Sequence, residues 1–377
     1  MRVAITYHGC HRRGGVERVM LECVNFMAAR GHETHALARN WDDEAVSPHV
    51  QRQELEYLSP FPAFALPAYR RAVTREVAGI VPPVDVVAGF GAGAPPGAVV
   101  WMQSVHRAWI EKARASRPLS GRLRQRVNPF HPVALAMERR QLVGREYARL
   151  IALTPEVKAD INRLYDVPNQ DIDVLPNGYS AAEFHPGNAE LREAMRARLG
   201  FRAEDRVVLF VANELERKGF RPLLQAISSL HDSSVRVLAV GGFRDSEARR
   251  EVSRLGLDSQ VVLTGGTSDV ADYYAAADVF ALPTKYEAWG LVIVEALASG
   301  LPVLTTHLAG ASVAVRNGDT GVLVNDPADS SEIANGLHSL LNGHHCTPEQ
   351  VSASVAEYEW ARLLVRYEEI LSQVAQT

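Results

Sequence analysis

Two glutamates, Glu287 and Glu295, stand with seven residues between them in the stretch PTKYEAWGLVIVEALASGLP, residues 283–302. A carboxylate accepts hydrogen bonds in pairs, so each is suited to grip a vicinal diol on a sugar or a ribose. Between them the backbone of Ala288, Trp289, Gly290 and Leu291 falls where a helix is expected to start. First-turn N–H groups and the positive end of the helix dipole favour a phosphate there. The pair reads as a cradle for a diphosphate carrying ribose at one end and a sugar at the other. A plainer reading has Glu287 capping the helix and Glu295 on a solvated face, and it accounts for either glutamate taken singly.

Other residues of the same chemistry lie elsewhere. Asn213-Glu214-Leu215-Glu216-Arg217-Lys218-Gly219 follows the apolar run Arg206 to Ala212. Lys218, before a glycine at a helix start, is placed to meet a phosphate, and Arg217 adds a planar two-pronged donor. Exposed Arg-Lys pairs are common, so this signal is weak alone. His106, followed by Arg107, comes just after the apolar run Ala98 to Gln103, and His8 ends Val3 to Tyr7. In a parallel sheet such strand-end positions face the ligand. A structural hydrogen-bonding role is the competing reading for a lone histidine.

These positions require a repeated strand–loop–helix framework. The run Asp278 to Leu282 reads as a buried strand, followed by a loop, a helix from about Gly290, and a stop at Gly300 and Pro302 before the strand Val303 to Thr306. The N-terminus opens the same way: strand, the loop HGCHRRGG, then a helix ended by Gly31. G-x-G-x-x-G is absent there, which disfavours a dinucleotide-dependent dehydrogenase. Further strands are expected at 34–38, weakly at 54–58, and at 85–88, 98–103, 150–153 and 172–175. Thr154-Pro155 makes a helix start. After the turn Pro176-Asn177-Gly178 the pattern begins again, with strands at 206–212, 235–240 and 260–263. Two terminal helices are expected at about 330–341 and 348–371. The fold class is α/β, with two doubly wound halves joined at the PNG turn.

Composition sets outer bounds. The chain has 377 residues, 47% hydrophobic and 22% charged, with net charge −4, an ordinary globular balance that allows two cores. Cys10, Cys23 and Cys346 are too few and scattered for a disulfide framework or a zinc site. No stretch is long and apolar enough to span a membrane. Residues 107–149 carry eleven basic against three acidic residues. They read either as solvated helix faces or as a patch for anionic lipid headgroups or a phosphorylated acceptor. Residues 114–126 could form an amphipathic helix lying on that surface. Interleaved aromatics are lacking, which argues against nucleic acid.

YEAWGLVIVEALASGLPV resembles the donor-site signature of retaining GT-B glycosyltransferases of family 4, and its wording is similar to the lipopolysaccharide-core glucosyltransferase branch. Gly14-Gly15-Val16-Glu17 resembles the family's GG-x-E loop, PNGYSAAEFHPG its interdomain connector, and Arg217-Lys218-Gly219 the diphosphate clamp of that branch. Ala212-Asn213 departs from the commoner Gly-Arg, which leaves Arg217 to take over that arginine's work.

The resemblance implies two facing Rossmann-like domains with a cleft between them, residues 1–178 on the acceptor side and 179–357 on the donor side. The helix at about 358–377 is expected to pack back on the first. It implies transfer of a hexose from a nucleoside diphosphate sugar, with a UDP-sugar favoured, to a hydroxyl of a glycan, lipid-linked or small-molecule acceptor in envelope synthesis. Configuration is retained, and no metal or other cofactor is needed. His106, Arg217, Lys218 and Glu287 are the implied catalytic residues. The donor would be held by Gly14, Gly15, Asn213, Arg217, Lys218, main-chain groups from Thr267 to Val270, Glu287 to Leu291, and Glu295. His8, His106 and Arg107 would lie on the acceptor side. With no obvious covalent nucleophile, front-side attack is the expected route. The expected location is the cytoplasm, with peripheral contact to the membrane through residues 107–149. A nucleotide-sugar-binding protein without catalysis, or a sugar-phosphate synthase or epimerase on the same scaffold, is the alternative.

Overall fold

The computed structural model describes residues 1–59, 61–116, 128–267, 269–343 and 346–376. The chain divides into two units, Met1–Asn177 with Ala361–Thr377, and Gly178–Trp360.

The first unit is built on a parallel sheet of seven strands: β1 (Arg2–Thr6), β3 (Glu33–Ala38), β5 (Gln51–Glu54), β6 (Val86–Phe90), β7 (Ala98–Met102), β8 (Tyr147–Ala152) and β9 (Ile172–Val174), in the order β5-β3-β1-β6-β7-β8-β9. Its central strands are apolar almost without interruption, AVVWM in β7 being buried at every position. That is the pattern of a sheet covered on both faces. A separate two-stranded pairing joins β2 (Gly9–Cys10) to β4 (Asn40–Trp41). The order reverses between β1 and β6, so the loops after those strands flank the place where an open α/β sheet binds its ligand.

The second unit repeats the plan with six parallel strands: β10 (Arg206–Val211), β11 (Val235–Val240), β12 (Val261–Thr264), β13 (Val279–Leu282), β14 (Val303–Thr306) and β15 (Gly321–Val324), ordered β12-β11-β10-β13-β14-β15. Here the reversal falls between β10 and β13, which pair directly through Val208 with Val279 and Leu209 with Phe280. The loops after these two strands carry Arg217-Lys218 and Glu287 respectively.

Several expectations shift. The weak strand expected at 54–58 lies instead at Gln51–Glu54, paired with His35–Ala38. It is a polar edge strand, so the search for an apolar run passes it by. The expected terminal helix at 348–371 is broken: Pro348–Ala353 and Trp360–Ala375 are separate helices with a 3₁₀ turn, Ala356–Tyr358, between them. The amphipathic helix expected at 114–126 lies almost wholly outside the described residues. Among the described residues no helix is long and apolar enough to cross a membrane.

The final helix belongs to the first unit. Tyr367 stacks on Trp101 with ring centroids 5.2 Å apart, and both rings are buried. Glu368 accepts from Arg30 at 3.1 Å and pairs with His32 Nε2 at 2.6 Å, while Arg366 reaches Asp173 at 3.4 Å.

Candidate active site

In the second unit the loops after β10 and β13 are laced together by backbone. Lys285 N–H donates to the carbonyl of Arg217 at 2.9 Å, and Thr284 Oγ1 to the same oxygen at 3.2 Å. Gly219 makes this approach feasible: it has φ +80°, and a Cβ there would overlap the Pro283 carbonyl. It also ends the short helix Leu215–Lys218 and starts the helix Phe220–Ser229. The loop after β14 closes from the other side. Glu287 N–H donates to Leu308 O at 3.1 Å, Gly310 N–H to Glu287 O at 2.9 Å, and Ala311 N–H to Trp289 O at 2.9 Å.

This lacing brings Arg217, Lys218 and Glu287 together. Arg217 Nη1 donates to Glu287 Oε2 at 3.0 Å and to Tyr286 O at 2.9 Å, and Lys218 Nζ donates to the same Oε2. Glu214 grips the other edge of the guanidinium, with Nε to Oε2 at 3.1 Å and Nη2 to Oε1 at 3.0 Å. Burial pushes the Glu287 carboxyl upward, but Lys218 and Arg217 more than offset it and hold the group below the ordinary carboxylate value. Burial works against charge on Arg217 too, and Glu214 and Glu287 reverse it, raising its pKa. Two cations and two carboxylates thus form one partly sheltered network.

Glu287 is not a helix cap. The helix Leu291–Ala298 starts from Gly290, at φ +102°, with no side chain capping it. Ala288 and Trp289 lie against the β14 loop, and the Trp289 ring, almost fully buried, meets Tyr358 at 5.5 Å. Glu295 is not on a solvated face: its side chain is buried and accepts from Tyr274 Oη at 3.0 Å. Asn213 Oδ1 accepts from Gly242 N–H at 2.8 Å, tying the β10 loop to the β11 loop. A Cβ on Gly266 would lie 3.5 Å from Gly242, so the β12 loop joins them. In that loop Thr267 Oγ1 accepts from Asp269 N–H at 3.0 Å, and Val270 O accepts from Tyr273 N–H at 3.0 Å.

In the first unit, His8 and Gly14-Gly15 follow β1 at the point of strand reversal. Gly14, at φ +95°, precedes the helix Gly15–Ala29. His8 Nδ1 meets Tyr57 Oη at 2.8 Å, and its ring lies 4.0 Å from that of Tyr69; burial lowers its pKa to about 4. His106 follows β7 and begins the helix His106–Ser116. Its Nε2 meets His131 Nδ1 at 3.1 Å and its ring stacks on Trp109; burial, then His131, lowers its pKa to about 4. Arg107 sends Nη1 to Leu164 O at 3.3 Å and lies over the Tyr165 ring.

Glu138 has no local sequence signal yet organises this corner. It is buried on the helix Phe130–Val143 and accepts from the backbone N–H of His106 at 2.6 Å and of Arg107 at 3.1 Å, and from Tyr165 Oη. The basic stretch is partly neutralised by carboxylates beyond it. Lys112 pairs with Asp160 at 3.3 Å and Arg149 with Asp173 at 2.7 Å, whereas Glu146, within the stretch, is shared between Arg140 and the outside cation Arg70.

Doubly wound α/β units whose strand reversal brings cationic side chains together have a nucleotide-binding organisation. Residues 13–183 match the family model described as Glycosyltransferase Family 4, and residues 192–356 match Glycosyl transferases group 1. The chain belongs to the GT-B glycosyltransferases and resembles the lipopolysaccharide-core glucosyltransferase branch. The D-inositol 3-phosphate glycosyltransferase of Rhodococcus jostii (strain RHA1) is 34% identical over 238 residues, 60% of this chain and 51% of that protein. The chain therefore spans about half the length of that relative. Lipopolysaccharide glucosyltransferase WaaG of Escherichia coli (strain K12) is 25% identical over 343 residues, 87% of this chain and 86% of WaaG. A crystal structure of WaaG superposes with a TM-score of 0.81 at 24% identity, covering 98% and 99% of the two chains. Anabaena HepE in complex with UDP-glucose gives 0.74 at 18% identity, covering 99% and 100%. At these identities the superpositions show the shared fold.

Proposed function

We propose that the chain transfers a hexose from a nucleoside diphosphate sugar, with a UDP-sugar as the expected donor, to a hydroxyl of a glycan, lipid-linked or small-molecule acceptor. The convergence of Arg217 and Lys218 on Glu287 at the strand reversal of the second unit carries this reading. The UDP-glucose bound by HepE supports the donor class, and the WaaG likeness supports a cell-envelope setting. The transfer retains anomeric configuration and needs no metal. The location is cytoplasmic, and the basic segment 107–149 meets either anionic lipid or the acceptor.

Arg217, Lys218 and the amides of Ala288, Trp289, Gly290 and Leu291 take up the charge that develops on the departing diphosphate. Asn213, the main chain at Thr267 and Val270, and Glu295 hold the nucleoside end, while Gly14 and Gly15 let backbone approach the phosphate. Glu287, kept ionised by its two cations, accepts from sugar hydroxyls. His106 stands beside the sugar, with His8 and Arg107 on the acceptor side. The bond from the anomeric carbon to the phosphate oxygen breaks. The acceptor oxygen bonds that carbon from the same face, and its proton passes to the departing phosphate.

The test is turnover of UDP-hexoses by the purified chain, compared with Lys218→Ala. A charge-assisted hydrogen bond is worth roughly 1.5–3 kcal/mol, so the variant should lose about 10–100-fold in kcat/KM, with EDTA making little difference. Unchanged kcat/KM in Lys218→Ala would reject the phosphate role.

A further inference from the structure

One oxygen of Glu287 holds both cations that the proposed function assigns to the diphosphate. Arg217 Nη1 reaches it at 3.0 Å, and Lys218 Nζ is in direct contact. The opposite edge of Arg217 is committed to Glu214 through two further bonds. We propose that Glu287 is a built-in competitor of the diphosphate, and so the residue that makes the site select a diphosphate carrying a sugar over a bare one. This inference rests on the donor site proposed above.

A diphosphate that reaches Lys218 and Arg217 Nη1 takes both partners from Glu287 and sets a second anion beside it. Like charges brought together in a sheltered site repel, and a carboxylate stripped of donors is costly. Sugar hydroxyls give the displaced carboxylate new donors, whereas a bare nucleoside diphosphate gives it none. Discrimination therefore comes from a penalty against the wrong ligand as well as from contacts to the right one. The same asymmetry acts after transfer. Once the sugar has left, Glu287 returns to the cations and promotes release of the diphosphate. Glu214 keeps its grip throughout, because its bonds use nitrogens that do not face Glu287.

Titration calorimetry with inorganic pyrophosphate, UDP and UDP-glucose tests this on the full chain. Glu287→Gln should tighten pyrophosphate and UDP by about tenfold or more, with a smaller gain or a loss for UDP-glucose, so the preference for the sugar-bearing ligand collapses. Glu287→Asp keeps the charge but draws it back from the cations, and should fall between. Adding Lys218→Ala to Glu287→Gln should cancel the gain. If Lys218→Ala alone weakens pyrophosphate binding while Glu287→Gln and Glu287→Asp leave the UDP to UDP-glucose ratio unchanged, the competitor role is wrong and the donor site stands. If Lys218→Ala binds pyrophosphate as the wild type does, or no probe binds any of these proteins, the donor site itself is misplaced and both readings fall.

Discussion

His8 and His106 are both held neutral by burial, their pKa values lowered to about 4. An unfolded chain titrates histidine near 6.5, so between about 4 and 6.5 the unfolded state binds more protons than the folded one. Stability from these groups is complete above about pH 7, is lost progressively as pH falls through that window, and falls no further below it. His106→Gln should therefore narrow the gap in urea-unfolding stability between pH 7.5 and pH 5. A His106 imidazole seen by NMR to titrate near 6.5 in the folded chain would contradict this. Glu138 is the complementary case: burial raises its carboxyl pKa although Tyr165 and two backbone N–H groups pull it down. No spacing rule points to it, because the helix it serves begins thirty-two residues earlier. His106 could be singled out from its strand end, but the carboxylate that fixes its backbone could not.

Loop against loop is where sequence and structure part most clearly. The strands β1, β7, β10, β13 and β14 are readable because each is a largely buried run of apolar and β-branched residues, and the helix stop at Gly300 follows from glycine chemistry. The polar edge strand Gln51–Glu54 and the helix His106–Ser116 are not readable. One owes its place to pairing with β3, the other its start to a distant carboxylate. Arg217-Lys218 and Glu287 could each be read as phosphate or sugar ligands, yet their meeting depends on β10 lying beside β13. Gly219 tests that arrangement. Gly219→Ala meets both a left-handed backbone and overlap with the Pro283 carbonyl, whereas Gly200→Ala, at φ +74° with open space around it, meets only the first. Gly200→Ala should cost about 1–2 kcal/mol in urea unfolding, and Gly219→Ala clearly more. Gly219→Ala should also lower kcat/KM by moving Arg217 and Lys218 away from the proposed diphosphate position. Equal costs at the two positions would show that the β10 and β13 loops are not in contact there.

On the scale of the whole molecule, the chain begins and ends in the same unit. The last helix returns to the first sheet, and Tyr367 is its main anchor, stacked on Trp101 and in contact with Cys23, whose thiol burial drives upward. Glu368 joins Arg30 and His32, 338 and 336 positions away, and Arg366 joins Asp173, 193 positions away, so both ends of the chain are tied into one unit. Truncating a buried aromatic costs about 3–5 kcal/mol, so Tyr367→Ala should destabilise the first unit by that order, and Tyr367→Phe, which keeps the stack, by much less. Hydrogen exchange separates the units: the variant should lose protection in β7, while β10 in the second unit keeps its own core of Phe210, Phe220 and Phe280. Equal loss in both strands would mean that the two units unfold as one, and no loss in either would mean that the helix adds little to the core it covers. The distinction bears on the proposed chemistry, because a first unit weakened by Tyr367→Ala should release His8 and His106 from the burial that keeps them neutral while leaving the Arg217, Lys218 and Glu287 network intact. UDP binding would then survive in a variant whose turnover falls.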